Sequence, residues 1–515
     1  MLEALELLVL AVAPWPLYRA LTIASFRRFY RCFAVYTVTL LLLYAATVVS
    51  LAVFLPSLLH VATALALTGL AAERWRARSA YGKARRLPPG SLSLVPRGPR
   101  LDHRFYLKQA RRHGPVFKIS LFFKPTVCIV GAGLGHQLLQ SRGAALRAPA
   151  ARFSQFIPLG FLRYMEGSTH THYRKILGSG FAPAVLENCD GGIRSDVRAA
   201  LADLARSGAR AGDGGISPRA ALHDMLLVIL LRLFFGLPAH DSAGWRFRQL
   251  YESINVRKAI CRSARKEKAV AAEIVRLVRQ QIAVYDKHVL EGRTSPSCVL
   301  ARIRRQHPDA LADETVLLNL VYMVQVARSD MTGLLMWILK MLGDHPEYLR
   351  QVRDQLDAGC LDETAPLHQL AALIVKETLR LEQSEFLSRE ATADIDFNGF
   401  TIPRGWLVRI CIREGHRDPA LFADPERFDP QRFVAHGSGM NGYSPLGMLG
   451  HSCIGAQIVS QVGQIFVFEL ARGFDLTLVA DGPREFGADH WTPGSTFRIN
   501  LQTRTRTRLT EDRVA

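Results

Sequence analysis

The residues best suited to chemistry lie near the end of the chain, in SPLGMLGHSCIGAQIVSQ, residues 444–461. Cys453 follows Gly450 and His451, precedes Gly455, and stands where a helical pattern begins. Glycines let a backbone approach something flat or bulky. A thiolate at a helix start is stabilised by the helix dipole and by free N–H groups. Two readings follow: a sulfur aimed at a metal or a large planar group, or a buried structural cysteine beside a flexible turn.

Two other stretches carry charge where apolar residues dominate. DETVLLNLVYMVQVARSDMTGLLMWILKML, residues 313–342, is apolar nearly all round, yet holds Arg328 and Asp330 in its middle. A helix apolar on every face is buried, and ionised groups inside one point to a site. The alternative is an accidental pair on a helix that grazes the surface. In KETLRLEQSEFLSRE, Glu377 and Arg380 lie three apart and can pair on one helix face. An E-x-x-R recurs by chance about once in a chain of this length.

The elements that must hold these residues are mostly helical. SDVRAALADLARSG and EIVRLVRQQIAVYDKHVLEG repeat apolar residues at helical spacing. FKISLFF (117–123) and TVCIVG (126–131) predict a short hairpin. GFTIPRGWLV (399–408) predicts strand, turn and strand around Pro403 and Gly405. HRDPALFADPERFDPQRF (416–433) is a proline-punctuated meander that ends in Arg432 and Phe433 and leads toward the cysteine loop. The expected fold class is mainly α with a minor β region.

At 515 residues, 49% hydrophobic and 21% charged, the chain is long enough for a large core and is not disordered overall. Its eight cysteines are scattered and form no C-x-x-C pair, which argues against a disulfide framework or a zinc knuckle. Apart from Cys453 they are expected as small apolar core residues. The formal charge of +20 suits nucleic acid, anionic lipid or an acidic protein partner. Its distribution favours a membrane. Residues 33–72 form a charge-free run of 40, and one crossing takes about 20. Arg27, Arg28 and Arg31 flank it on one side; Arg74, Arg76, Arg78, Lys83, Arg85 and Arg86 flank it on the other.

The expected organisation has four parts. Residues 1–32 are an amphipathic and basic segment, the first 16 suited to the membrane interface. Residues 33–72 are a transmembrane hairpin of two helices turning at Pro56, which keeps both basic flanks on the cytoplasmic side. A single tilted crossing would strand one flank outside. Residues 73–99 are a basic, proline-rich tether. Residues 100–515 are the catalytic domain. No nucleic-acid motif or basic-aromatic stripe occurs beyond the anchor, so no nucleic-acid partner is expected.

The order and spacing of these motifs resemble the cytochrome P450 superfamily, the heme-thiolate oxygenases, over roughly residues 100–505. The resemblance implies the fold of that family, with a long central helix over heme b. It makes Cys453 the axial iron ligand, His451 a propionate partner, and Gly455 the point where the next helix passes close to the porphyrin. GSTHTHYRKILGSGF (167–181) resembles the family's propionate-binding helix, with His170 and Arg174 on one face; Arg389 is the expected third base. Glu377, Arg380 and Arg432 would form a buried triad that locks the cysteine loop. The substrate pocket would be lined by residues 152–164, by Ala327 and Met331, and by SEFLS (384–388), with Phe386 and Leu387.

The sequence departs from the family pattern twice. The cysteine loop has Leu446 and Leu449 where Phe and Gly are usual. The central helix usually reads A/G-G-x-D/E-T-T; here it reads Ala327, Arg328, Ser329, Asp330, Met331, Thr332. The acid is kept, but the adjacent alcohol that helps deliver protons to dioxygen is Met331, which has no proton to donate. Thr332 lies about 100° further round an ideal helix. The expected catalytic residues are therefore Asp330, Thr332 and Arg328, the last as a holder of a carboxylate substrate or as a structural ion pair.

The leading expectation is a membrane-tethered monooxygenase that hydroxylates or epoxidises a lipophilic small molecule. It would use dioxygen and electrons from an external reductase or ferredoxin, because the sequence shows no flavin or iron–sulfur motif. Met331 keeps a heme-thiolate isomerase, dehydratase or lyase in view, and a non-catalytic heme-binding protein is the alternative of another class.

Overall fold

The computed structural model describes residues 63–64, 68, 86–92, 102–121, 124–149, 156–238, 242–254, 264–292, 297–357, 369–383, 386–436, 442–487 and 490–504. The expected segment 1–32, nearly all of the hairpin 33–72 and most of the tether lie outside them. Among the described residues no helix is long and apolar enough to cross a membrane.

Helices dominate, with a minor β region, as the sequence pattern predicts. The principal ones are Phe105–His113, Ala132–Arg142, Gly167–Ser179, Pro183–Ala211, Arg219–Phe235, Ser242–Ser253, Ala264–Leu290, Val299–Gln306, Glu314–Asp344, Pro346–Asp357, Gln369–Thr378 and Ala456–Gly473. The strands are β1 (Val116–Leu121), β2 (Lys124–Val130), β3 (Leu146–Arg147), β4 (Phe386–Ala391), β5 (Ile395–Phe397), β6 (Phe400–Ile402), β7 (Leu407–Cys411), β8 (Phe474–Ala480), β9 (Arg484–Gly487), β10 (His490–Pro493) and β11 (Arg498–Thr503). Five of them form one sheet in the order β1-β2-β7-β4-β3, with only β2 and β7 parallel. Three two-stranded pairs complete the β structure: β5 with β6, β8 with β11, and β9 with β10.

The stretch 399–408 does give strand, turn and strand, but β6 and β7 do not pair with each other. The turn, with Gly405 at φ 80°, carries the chain out of the small β5–β6 pair and into the large sheet.

The central helix, Glu314–Asp344, spans 31 residues. Asp313 caps it by accepting the Thr315 N–H at 2.7 Å, and Tyr173 donates to the other Asp313 oxygen at 2.5 Å. Its apolar faces are buried against helix Arg219–Phe235, the cysteine-loop helix Ala456–Gly473 and helix Ala264–Leu290, in one large core that includes Trp337. A second, smaller core of Val116, Val127, Ile129, Leu138 and Trp406 lies beside the large sheet.

Helix Gln369–Thr378 ends in a π-helical turn, Leu379–Gln383. Extra residues in such a turn rotate side chains relative to a regular helix. The turn holds Arg380, Glu382 and Gln383, all buried. Glu382 is a charge hub: Arg484 of β9 reaches it at 2.5 Å, Arg413 at 3.2 Å and Arg417 at 3.6 Å. Burial alone would raise its pKa, but these three guanidinium groups outweigh it and hold the carboxyl at about 2.

Candidate active site

Cys453 stands at the start of helix Ala456–Gly473, on a loop turned by backbone geometry. Gly447 has φ 84°, and a Cβ there would stand 3.1 Å from the His451 carbonyl oxygen. Cys453 N–H donates to Leu446 O at 2.8 Å, and Ser452 N–H to Leu449 O at 3.1 Å. Leu449 itself has φ 54°. The position where the family pattern has Gly does need the left-handed region, and leucine occupies it under strain. Cys453 is exposed, whereas Cys128, Cys189, Cys298 and Cys411 are buried. The remaining three cysteines lie outside the described residues.

The exposed sulfur borders a cavity of about 1230 Å³, counting its open mouth. The opposite wall is one face of the central helix: Met323, Val326, Ala327, Asp330, Met331 and Leu334. Their spacing of three and four residues is that of a single helical stripe. Asp330, Ala327 and Met331 thus share one helix face and border the cavity.

Arg328 and Thr332 do not line the cavity, which corrects the expectation that they act there. Arg328 is 1% exposed and points to the far side, where it meets Asp224 at 3.1 Å and Glu252 at 2.5 Å. It also donates to His223 O at 2.8 Å. The ion pair is structural, made with these two acids. Thr332 Oγ1 donates to Arg328 O at 2.6 Å, one turn back, and lies 3.1 Å from His223 Nδ1. The helix stays α-helical here, so nothing rotates Thr332 toward the cavity.

Of the other expected pocket residues, Leu387 lines the cavity and Phe386 does not. Successive strand residues face opposite ways. Phe386 turns to the other side of β4, where the Arg409 guanidinium lies 3.5 Å from its ring centre. From 152–164, Phe161, Leu162 and Arg163 reach the cavity; residues 152–155, 384 and 385 lie outside the described residues.

Bases gather beside Cys453. Arg174 donates to Ser452 Oγ at 3.2 Å. The rings of His170 and His451 stack with centroids 4.1 Å apart. Arg389, on the Leu387 face of β4, is buried nearby. Burial, with Arg389, His170, Arg174 and Arg163 around it, pushes His451 down to about 4. Burial likewise lowers His170, Arg174 and Arg389, and neighbouring guanidinium groups lower His170 and Arg389 further. Arg389 Nη2 and His451 Nδ1 are buried with no hydrogen-bond partner among the described residues. Each such group costs about 1–3 kcal/mol when left unmet. A Cβ on Gly455, which also borders the cavity, would meet no atom within 4 Å. The donors and the open glycine face fit a flat group bearing two carboxylates and held by sulfur, which is the chemistry of heme.

Glu377, Arg380 and Arg432 meet behind the loop. Arg380 holds both Glu377 oxygens, at 2.7 and 2.9 Å, and Arg432 Nε reaches Oε1 at 3.0 Å. Glu377 and Arg380 are fully buried. The remaining guanidinium N–H groups donate to meander carbonyls: Arg380 to His416, Pro425 and Arg427, and Arg432 to Ala423, Asp424 and Arg427. Burial, reinforced by Arg380, keeps His416 neutral with a pKa of about 3, so its Nε2 accepts the Ser444 N–H at 3.0 Å. That bond ties the meander to the first residue of the cysteine loop.

A family model described as Cytochrome P450 matches residues 247–486. The chain carries a cytochrome P450 domain over those residues. Abscisic acid 8'-hydroxylase 3 of Oryza sativa subsp. indica is 26% identical over 434 residues, covering 78% of this chain and 83% of that protein. Abscisic acid 8'-hydroxylase 2 of Arabidopsis thaliana is 25% identical over 422 residues, covering 77% and 86%. Among solved structures, the retinoic-acid-bound cyanobacterial CYP120A1 aligns with a TM-score of 0.66 at 22% identity, covering 81% of this chain and 99% of that one. A zebra fish cytochrome P450 with progesterone aligns at 0.61 and 18% identity, covering 78% and 99%. This P450 is thus a heme-thiolate monooxygenase. Two polar residues of the cavity, Gln383 and His490, carry no spacing signal and escape the sequence reading, whereas Arg163 lies inside the expected pocket stretch 152–164.

Proposed function

We propose that Cys453 is the axial thiolate of this cytochrome P450, that His451, His170, Arg174 and Arg389 hold the heme propionates, and that Glu377, Arg380 and Arg432 fix the loop beneath. The observation that carries the reading is the exposed Cys453 bordering a cavity beside four bases, two of which, Arg389 and His451, hold a buried nitrogen with no hydrogen-bond partner among the described residues. When bound, heme supplies activation of dioxygen for insertion of one oxygen atom into the substrate. The substrate is a lipophilic small molecule hydroxylated at a C–H bond. Phe161, Leu230, Phe234, Val326, Met331 and Leu334 offer it an apolar wall. The hydroxylase relatives support this reading over an isomerase or lyase. They also make abscisic acid the first compound to try. Electrons come from a separate reductase or ferredoxin, whose acidic surface the basic chain would attract. The charge-free run 33–72 anchors the enzyme in a membrane with the catalytic domain on the cytoplasmic side.

The test is the carbon monoxide difference spectrum of the dithionite-reduced protein, with Cys453→Ser beside it. A red-shifted Soret band that vanishes in the variant is expected. No heme, or a band indifferent to Cys453, would overturn the assignment.

A further inference from the structure

Met331 occupies the place on the cavity wall where the alcohol is missing, so proton delivery needs another route. Outside the base cluster, the Cys453 loop and Arg163, the polar side chains lining the cavity are Asp330, Gln383 and His490. They lie together. His490 Nε2 is 3.8 Å from Asp330 Oδ1, and Gln383 Nε2 donates to Asp330 O at 3.2 Å. The separation of 3.8 Å is an ion-pair distance, closed to a hydrogen bond by a small side-chain shift or one bridging water. Gln383 Oε1 is buried with no hydrogen-bond partner among the described residues, and so can hold such a water.

The strand that carries His490 is firmly held. β10 pairs with β9 from His490↔Gly487 to Pro493↔Arg484. Trp337 Nε1 of the central helix donates to Trp491 O at 2.8 Å. Arg219 donates to Thr492 Oγ1 at 3.0 Å and to Pro493 O at 2.7 Å. Arg484 ties β9 to buried Glu382. His490 is itself 9% exposed and Asp330 39% exposed. The imidazole is thus packed and fixed, while the carboxylate stands open to the cavity.

Resting on the monooxygenase reading above, we propose that His490 and Asp330 are the proton relay of this enzyme, in place of the absent alcohol. Asp330 gives a proton to the oxygen being reduced and takes one from His490 Nε2, which is reprotonated by water. The relay carries solvent protons only. Dioxygen, two electrons from the redox partner, two protons and one C–H bond balance to an alcohol and water.

The test has two arms. In the full chain with 15N-labelled histidine, the ring resonances of His490, assigned by their loss in His490→Ala, should move in Asp330→Asn. In heme-loaded protein, dithionite-reduced enzyme is mixed with dioxygen, without substrate, and its return to the oxidised spectrum is timed. His490→Ala should slow that return about tenfold or more, as loss of a positioned acid does. Met331→Thr added to His490→Ala should restore it, because a hydroxyl then stands on the cavity face. An unchanged rate in His490→Ala, ring resonances indifferent to Asp330, or a double variant that stays slow would each overturn the relay. Packing or substrate contact at His490 gives no reason for rescue by a hydroxyl at 331. Failure of the thiolate assignment would register separately, in the carbon monoxide spectrum.

Discussion

Two buried arginines make unequal demands on stability, and the difference is calculable from their partners. Arg328 is buried, but Asp224 and Glu252 are 63% and 58% exposed. In Arg328→Met both carboxylates fall back into water, methionine replaces the stem, and only the His223 carbonyl is left without its donor. The loss is that of a part-screened pair and a few charged hydrogen bonds, less the recovered cost of burying the guanidinium: about 1–2 kcal/mol. Arg380 is different. Glu377 is 0% exposed, and Arg380→Met leaves it in the core with Arg432 and the Asp429 N–H as its partners. The carbonyls of His416 and Pro425 lose the Arg380 donor as well. Stranding a buried charge costs about 3–5 kcal/mol. Urea unfolding of both variants, with heme content read from the carbon monoxide spectrum, measures the contrast. Arg328→Met should retain heme and shift the midpoint slightly; Arg380→Met should lose heme and much of its stability. Equal costs for the two would refute the argument that partner burial decides. Weakened substrate binding in Arg328→Met, with stability unchanged, would return Arg328 to the site.

Two further outcomes follow from the same geometry. Leu449 sits at φ 54°, where an L-residue costs about 1–2 kcal/mol and a β-branched one more; Leu449→Gly should match or exceed the wild type in urea midpoint and Leu449→Val should fall below it, and the reverse order would refute strain at this position. The Glu382 carboxyl is depressed from its ordinary 4.5 to about 2, so its contribution is present above pH 4.5 and lost as pH falls through 2. It amounts to about 3 kcal/mol at neutral pH; the stability gap between wild type and Glu382→Gln should therefore close between pH 4.5 and 2 in urea titrations, and a gap constant across that range would refute the charge hub.

What could be read from the sequence was local or periodic. The cavity stripe of Ala327, Asp330, Met331 and Leu334 follows from helical spacing, and the Cys453 loop from glycine spacing and its place after the meander. Glu377 and Arg380 are neighbours by sequence, three residues apart. What could not be read was set by partners far along the chain. Nothing near Arg328 announces Asp224 or Glu252, which arrive from two other helices. Phe386 and Leu387 are neighbours in one strand, and alternation lets only one of them face the pocket. Nearly all of the expected hairpin, residues 33–72, lies outside the described residues.

The fate of Thr332 shows why the missing alcohol cannot be supplied from the central helix. Bringing its hydroxyl to the cavity requires turning the helix by about 100°. That rotation would pull Arg328 from Asp224, Glu252 and the His223 carbonyl, and would carry Asp330 and Met331 off the wall. Arg328 thus fixes the rotation of the helix that presents Asp330. A polar group that assists Asp330 must then come from another element, and β10 brings His490 to it while held by Trp337 of the same helix. Arginine in place of glycine two residues before the acid, and methionine in place of an alcohol directly after it, are two parts of one arrangement: the helix is locked, and the proton route moves to the strand.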